Sequence, residues 1–296
     1  MDDDIGIQFV EANGLNFEVH TCGDGDRLAL LLHGFPEQAY SWRHQMPLLS
    51  RLGYTVWAPN LRGYGRSSRP AHVQDYLMGR LLADVAGLID AADKRSTLLV
   101  GHDWGGMLAW MFALQRLRPL ERLIVMAMPH PLLFARGLRH GSQLRRSWYI
   151  LAFQLPWLPE KVLGMRGGRV LGGLLRRAAV DKGRFPDELL EIYRKAARQP
   201  GAITAMLNYY RANFGWFRGR HGAEHNRALA ARLGTPTLML WVEEDVAFSN
   251  ELVLGTETLV DDLTLHALPG VGHFLQQEAP ETVNALMEDW LRGGTG

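Results

Sequence analysis

The sequence predicts an α/β fold in which a mostly parallel central sheet is interrupted by a helical insertion. Four runs are apolar without polar alternation, at residues 28–32, 55–58, 97–100 and 123–126. Such runs are typical of strands covered on both faces, as in a parallel sheet. Helical stretches lie between them, notably over residues 76–92 and 105–117. Strand and helix therefore alternate along the chain, which indicates the α/β class.

The two ends of the chain add further strands to this sheet. Residues 7–10 and 15–20 alternate apolar and polar side chains around Asn13-Gly14, which is a strong signal for a β-hairpin. Residues 237–242 and 263–268 predict two more strands, and residues 280–291 predict an amphipathic helix that closes the chain.

The middle of the chain interrupts this pattern. After Pro129-His130-Pro131, and up to about Arg227, the segments are helix-like, with Gly and Pro between them and no convincing buried strand. We therefore expect a core domain formed by residues 1–130 and 228–296. Residues 131–227 form a helical cap inserted into that core.

Charge is divided between the two predicted parts. The chain of 296 residues has a formal net charge of only +1, so it offers no electrostatic footprint for nucleic acid. The cap, however, contains 18 Lys or Arg and 6 Asp or Glu, whereas the remainder contains 14 and 25. This asymmetry favours complementary surfaces that seat the cap on the core. Attraction of anionic ligands to the cap is the alternative.

The cysteine content and the N-terminal sequence indicate the cellular compartment of the protein. Cys22 is the single cysteine, so the chain cannot form an internal disulfide, and the start Met1-Asp2-Asp3-Asp4 lacks the pattern of a signal peptide. We expect a cytoplasmic protein. We also expect no membrane span, because no stretch approaches the ~20 consecutive apolar residues that a span requires.

A candidate nucleophile follows the third apolar run. Residues 98–106 read Leu-Leu-Val-Gly-His-Asp-Trp-Gly-Gly, a buried strand that ends in Gly-x-Asp-x-Gly before a helix. This is the nucleophile elbow, a sharp strand-to-helix turn that exposes its central residue above the sheet. Asp103 occupies the position at which an esterase carries serine. On its own, the motif is equally compatible with a helix N-cap on an ordinary turn.

Three other segments supply partners for Asp103. Residues 33–36 end an earlier strand, and the backbone N–H groups of Phe35 and Trp104 could converge on one oxygen as an oxyanion hole. His273 follows the last strand and is the candidate base. Asp245, or else Glu244, follows the strand before it and is the candidate acid that orients the histidine.

Across essentially its whole length the sequence resembles the α/β-hydrolase superfamily, and within it the epoxide hydrolases. The resemblance is carried by His33-Gly34-Phe35-Pro36, Gly101-His102-Asp103-Trp104-Gly105-Gly106, Pro129-His130-Pro131, Ser147-Trp148-Tyr149, Asn208-Tyr209-Tyr210-Arg211 and Gly272-His273-Phe274. It implies that Tyr149 and Tyr210 in the cap hold the epoxide oxygen, with Tyr209 as the nearest rival. Without the resemblance, these aromatic residues would be interpreted as packing.

The chemistry of a carboxylate nucleophile agrees with this resemblance. Attack on an acyl carbon would give a reactive anhydride, whereas attack on a saturated carbon with a leaving group gives an ordinary ester. An epoxide oxygen leaves as a poor alkoxide unless a donor assists it, and tyrosine, with a pKa near 10, is such a donor at neutral pH. We therefore predict hydrolysis of an epoxide to a vicinal diol through a hydroxyalkyl ester on Asp103.

The predicted ligands are a small hydrophobic epoxide and water, with no metal, no organic cofactor and no nucleic acid. The protein is predicted to be a monomer or a homodimer. Apolar cap residues such as Trp157 and Trp216 suggest only that the substrate is hydrophobic. The residues predicted to line the substrate pocket are His33, Pro36, Trp104, Phe153 and Phe274.

Two alternative functions share the same fold. A haloalkane dehalogenase would use Asp103, His273 and Asp245 to open a carbon–halogen bond, with the indole N–H of Trp104 holding the halide. A ligand-binding protein on a hydrolase fold would keep the pocket with little turnover, and fold alone does not exclude it. Production of diol over many turnovers would separate the epoxide hydrolase from the ligand-binding protein.

Overall fold

The computed structural model describes residues 5–139, 141–217 and 229–293. Eight strands form one sheet in the order β1-β2-β4-β3-β5-β6-β7-β8. Neighbouring strands from β4 to β8 run parallel, whereas β2 is antiparallel to both β1 and β4. The strands are β1 (Gly6–Ala12), β2 (Leu15–Cys22), β3 (Arg27–Leu32), β4 (Tyr54–Pro59), β5 (Ser96–His102), β6 (Arg122–Met126), β7 (Thr237–Val242) and β8 (Leu263–Leu268).

The apolar runs form the buried parallel strands that the sequence predicts. Every residue of β4 and β7 is buried, and β3, β5 and β6 are buried beyond their first residue. The predicted hairpin is also present, since β1 pairs with β2 across Asn13 and Gly14. Both turn residues have positive φ, 51° and 71°, which is the conformation that a two-residue hairpin turn requires.

Helices cover the sheet and fill the interval between β6 and β7. The predicted helix over residues 76–92 begins at Met78, after a 3₁₀ turn, and the one over residues 105–117 ends at Leu114. The helices are α1 (Gln45–Arg51), α2 (Met78–Ala92), α3 (Trp104–Leu114), α4 (Pro131–Gly137), α5 (Gly141–Arg146), α6 (Trp148–Ala152), α7 (Leu158–Ala178), α8 (Asp187–Ala197), α9 (Ala202–Ala212), α10 (Phe214–Phe217), α11 (Leu275–Glu278) and α12 (Pro280–Leu291).

In the described residues between β6 and β7, helices joined by turns take the place of strands, apart from an isolated β-bridge between Leu233 and Val260. Helices α4 to α10 lie there, and α7 is bent because residues 165–168 leave the helical conformation. This agrees with the predicted insertion, which we call the cap. The boundaries of the cap at residues 131 and 227 stay a prediction, and residue 227 lies outside the described residues.

The sheet brings distant segments to one edge. Phe35, Asp103, Asp245 and His273 lie in the loops that follow β3, β5, β7 and β8. These four strands run parallel, so their carboxyl ends lie on the same side, where α/β proteins bind their ligands. Among the helices described, none is both long and apolar enough to cross a membrane.

Candidate active site

Asp103 occupies a strained turn between β5 and α3. Its φ of 50° and ψ of −118° are rare for a residue with a side chain, and such strain is concentrated at functional sites. The turn is tight enough that a Cβ on Gly101 would collide with the carbonyl of Gly105. This geometry presents the carboxylate at the N-terminus of a fully buried helix, where the helix dipole favours negative charge.

The loop after β3 supplies a backbone donor to this carboxylate. The N–H of Phe35 donates to Asp103 Oδ1 at 2.7 Å. Gly34 permits this approach, because a Cβ there would lie 2.5 Å from the Cβ of Asp103. Trp104 is the first residue of α3, so its N–H is one of the first-turn groups that no carbonyl within the helix accepts. Both predicted oxyanion-hole residues therefore adjoin Asp103.

His273 lies between two carboxylates. Its Nε2 is 3.6 Å from Asp103 Oδ2, and its Nδ1 is 2.9 Å from Asp245 Oδ2. The other oxygen of Asp245 accepts hydrogen bonds from the N–H groups of Ala247 and Phe248, at 2.7 and 3.1 Å. These bonds hold the Asp245 side chain in place, so that it can orient the imidazole with the opposite nitrogen toward Asp103.

Glu244, the fallback acid, lies elsewhere. It is exposed, and its carboxylate accepts a hydrogen bond from the N–H of Gly270 at 2.9 Å. It thus braces the loop that carries His273 from the solvent side. The buried carboxylate next to the imidazole belongs to Asp245, which is 2% exposed.

The charges at this site support one another. Burial alone would lower the pKa of the His273 imidazole, but the Asp245 and Asp103 carboxylates raise it well above its usual value. Burial would likewise raise the pKa of Asp103, but the hydrogen bond and charge of His273, with the N–H of Phe35, hold it below its usual value. Each of these two groups therefore stabilises the charged form of the other.

Two cap tyrosines cover Asp103. Tyr149 on α6 and Tyr210 on α9 line the same pocket as Asp103, and their rings pack edge to face with centroids 5.9 Å apart. Burial, and then the charge of Asp103, raise the pKa of both hydroxyls above the usual 10. Both therefore stay protonated, as hydrogen-bond donors must.

Tyr209 does not share this position. It is fully buried, its hydroxyl donates to the carbonyl of Arg62 at 2.8 Å, and it is not among the residues that line the two pockets at Asp103. Its hydroxyl joins the cap to the core. The structure thus separates two adjacent tyrosines into one that faces the pocket and one that packs.

A large apolar cavity leads to Asp103. Its volume is about 570 Å³, and it is bounded by the core loops on one side and by α6, α7 and Tyr210 on the other. Apart from Asp103 and His273, Arg177 is the one charged side chain that lines it within the described residues. Such a cavity suits an uncharged, hydrophobic molecule.

Most of the predicted pocket residues lie at this cavity. Pro36, Phe153 and Phe274 line it, and Trp104 lines a smaller pocket of about 20 Å³ that adjoins Asp103 and both tyrosines. The side chain of Trp216, which suggested a hydrophobic substrate, lies outside the described residues.

The prediction for His33 needs correction. His33 is fully buried and does not line either pocket at Asp103. Burial lowers the pKa of its imidazole to about 4, so the ring is neutral. Its Nδ1–H donates to the carbonyl of Gly34 at 3.0 Å, and its Nε2 accepts from the N–H of Leu61 at 3.1 Å. His33 therefore fixes the loop that carries Phe35 and does not contact the substrate cavity.

A buried network that the sequence did not predict lies behind the site. His102 donates through Nε2 to the carbonyl of His273 at 2.8 Å, and its Nδ1 is 2.7 Å from Glu37. The Glu37 carboxylate also accepts from the side-chain amides of Gln276 and Gln277. His102 stands in the quoted motif at residues 101–106, and Glu37 directly follows the quoted motif at residues 33–36. Two ionisable residues beside the predicted catalytic loops were the signal that could have revealed the network.

Comparison with known proteins shows the family of this chain. The sequence pattern of the α/β hydrolase fold matches residues 30–280. The chain is 36% identical to human epoxide hydrolase 4, over 97% of this chain and 78% of that protein. It is 38% identical to epoxide hydrolase 3 of Xenopus tropicalis, over 95% of this chain and 76% of that protein. The chain therefore belongs to the epoxide hydrolase family of α/β hydrolases.

A solved structure extends the agreement to three dimensions. The crystal structure of the Bacillus megaterium epoxide hydrolase in complex with an inhibitor superimposes with a TM-score of 0.85. The two sequences are 29% identical, and the match covers 96% of this chain and all of that one. The likeness includes the cap as well as the sheet, since nearly the whole chain is covered.

Proposed function

We propose that this protein hydrolyses a hydrophobic epoxide to a vicinal diol, through an ester formed on Asp103. One observation carries the proposal. A buried carboxylate paired with a histidine faces two protonated tyrosines across an apolar cavity. A haloalkane would need no proton donor at its leaving group, whereas an epoxide oxygen does. The tyrosine pair therefore favours the epoxide.

In the first half-reaction, Asp103 attacks an epoxide carbon while Tyr149 and Tyr210 donate to the oxygen. The new C–O bond to Asp103 replaces the C–O bond of the ring, and a tyrosine proton converts the departing oxygen to a hydroxyl. Alkylation removes the negative charge of Asp103, which is one of the groups that raise the pKa of His273. The imidazolium then releases its proton, which restores the tyrosine.

In the second half-reaction, the neutral His273 takes a proton from a water molecule that attacks the Asp103 carbonyl carbon. Oδ1 becomes the oxyanion and lies against the N–H of Phe35, with that of Trp104 as the second donor. Collapse of this intermediate releases the diol and returns an ionised Asp103 beside a protonated His273. The enzyme thereby returns to its starting composition and charge, and Asp103 has gained one oxygen atom from water.

Replacing both cap tyrosines by phenylalanine tests the proposal. Loss of one preorganised donor typically costs about 10²–10³-fold in rate, so the double variant should form ester at least ~10³-fold more slowly. In each single variant the logarithm of the rate of ester formation should fall by less than half as much as in the double variant, because the remaining hydroxyl still binds the same oxygen. Single-turnover consumption of styrene oxide measures the step.

Tyr209→Phe is the matched control. It removes the neighbouring hydroxyl and its bond to Arg62, at a cost of about 1 kcal/mol of stability. It should leave the rate of ester formation within a few-fold of the parent. If the double variant is equally active, the tyrosines are packing residues and the proposal is wrong.

The two half-reactions should differ in their pH dependence. Ester formation needs an ionised Asp103 and protonated tyrosines, and the pKa values of these groups are lowered and raised respectively. Its rate should therefore be flat from about pH 5 to pH 9. Ester hydrolysis needs a neutral His273, so its rate should fall as the pH decreases through the pKa of the imidazole.

Rapid-quench single turnovers at a series of pH values separate these steps. The ester should accumulate at acidic pH and disappear faster than it forms at alkaline pH. The opposite result would be a rate of ester formation that falls as the pH decreases through neutrality, with a rate of ester hydrolysis that does not change with pH. That result would reverse the roles given to Asp103 and His273.

A further inference from the structure

Large apolar side chains surround the mouth of the cavity and face solvent. Trp148 is 67% exposed, and Leu155, Leu158, Val162 and Val246 are also exposed while lining the cavity. A contiguous exposed apolar surface on a folded protein usually marks a binding surface. We call this set the mouth rim.

Further exposed apolar residues continue the mouth rim along the outer surface of the cap. Leu151 is 60% exposed and stands one helical turn from Trp148 on α6. Trp157 is 62% exposed and immediately precedes α7, and Met165 lies seven residues along α7 from Leu158. None of these three residues lines the cavity. Their exposure therefore has no explanation in the binding of substrate.

Positive charge accompanies this surface. Residues 131–180 contain nine Lys or Arg and one acidic residue, Glu160, whose carboxylate is paired with Arg211 at 2.6 Å. Eight of these nine cations are exposed and have no ion-pair partner within the described part of the chain, whereas Arg176 pairs with Asp187. The eight are Arg136, Arg139, Arg145, Arg146, Lys161, Arg166, Arg169 and Arg177. The Lys161 ammonium lies 4.9 Å from the centre of the Trp157 ring, at the outer surface.

We propose that the cap docks on an anionic phospholipid bilayer, with the cap residues of the mouth rim (Trp148, Leu155, Leu158 and Val162) and its extension inserted among the headgroups. Exposed tryptophan and leucine flanked by Lys and Arg is the composition of surfaces that lie in the membrane interface. The apolar side chains enter the acyl boundary, and the cations contact lipid phosphates. In this orientation the cavity opens toward the apolar layer of the bilayer.

The charges favour this occupant over a second copy of the chain. A two-fold contact through the same surface would place the cations of one copy against those of the other. Opposite the cap, Glu243 and Glu244 are exposed next to Val246. Their negative charge keeps the core side of the mouth away from an anionic surface, so the cap side makes the contact.

Vesicle flotation tests the proposal with the whole protein. Vesicles of phosphatidylcholine alone are compared with mixed phosphatidylcholine and phosphatidylglycerol vesicles. The parent should float with the mixed vesicles, weakly with the neutral ones, and less in high salt. The variants Trp157→Asn with Leu151→Ser, and Lys161→Glu with Arg166→Glu, should each reduce the bound fraction by about tenfold or more.

Ile7→Ser is the matched control, because Ile7 is a 52% exposed apolar residue outside the cap, on β1. It should bind vesicles like the parent. All variants should hydrolyse a small water-soluble epoxide at the parental rate and unfold at the same temperature, since the substituted residues lie outside the cavity. Vesicle binding is measured independently of epoxide hydrolysis, so the docking proposal and the proposed function can be refuted separately.

Three outcomes would overturn the proposal. The first is that the parent floats with neither kind of vesicle. The second is that the cap variants bind vesicles as well as the parent does. The third is that the cap substitutions change only the mass measured by sedimentation equilibrium, which would assign the surface to self-association.

Discussion

The His273→Gln variant should consume one equivalent of epoxide and then stop. Ester formation needs Asp103 and the tyrosines, and these remain. This variant lacks the imidazole that takes a proton from water in the second half-reaction, and a general base typically contributes about 10²–10⁴-fold. Steady turnover should fall by at least this factor, while the first equivalent of epoxide still disappears.

Epoxide consumption by a known concentration of variant measures this stoichiometry. His72→Gln is the control, because His72 is exposed and lies outside the site. It should turn over as the parent does. Continuous diol production by His273→Gln would refute the role of the base, whereas loss of the first equivalent would indicate that His273 also takes part in alkylation.

The Asp103→Asn variant should lose the reaction altogether at first. The amide is a poor nucleophile, and the imidazolium loses the carboxylate that lies 3.6 Å from its Nε2. Removal of a nucleophile that acts together with its base typically costs on the order of 10⁵-fold or more. No ester should form on this variant, in contrast to the His273→Gln variant.

Asp261→Asn is the matched control, because it makes the same change at an exposed ion pair with Arg232. Such surface pairs contribute about 0–1 kcal/mol, so activity should be retained. Slow recovery of activity by Asp103→Asn should coincide with conversion of the asparagine to aspartate, which the intact mass reveals. Full activity without that conversion would exclude Asp103 as the nucleophile.

Local sequence patterns were sufficient to predict most of the sheet. The run at residues 97–100 needs burial on both faces, and only a parallel sheet with covering helices provides it. The Gly-x-Asp-x-Gly turn then predicts where the nucleophile lies, because Gly101 and Gly105 approach too closely for side chains. Asp245 and His273 each follow a predicted strand, so their order along the chain placed them at the same edge of the sheet as Asp103.

The remaining features depend on contacts between segments far apart in the chain. His33 is predicted to line the pocket, and it stands in the same motif as Phe35. Its actual position follows from a hydrogen bond with Leu61, which no local pattern contains. Glu244 and Asp245 are adjacent in sequence, and only the packing of the loop shows that one faces solvent and the other His273.

The tyrosines illustrate the same limit. Tyr209 and Tyr210 are neighbours on α9, so helical periodicity points them in different directions without indicating which direction is the cavity. The answer depends on how α9 sits on the core, and the bond from Tyr209 to Arg62 marks the packed side. Cavity volume is likewise a property of cap placement.

The covalent ester on Asp103 is the central claim, and mass spectrometry tests it most directly. The His273→Gln protein is exposed to a terminal epoxide and, separately, to a bromoalkane, and its intact mass is measured before peptide mapping. We expect one hydroxyalkyl group from the epoxide, located on the peptide that contains Asp103. Absence of any adduct, an adduct on another residue, or an alkyl adduct formed only from the bromoalkane would contradict the account.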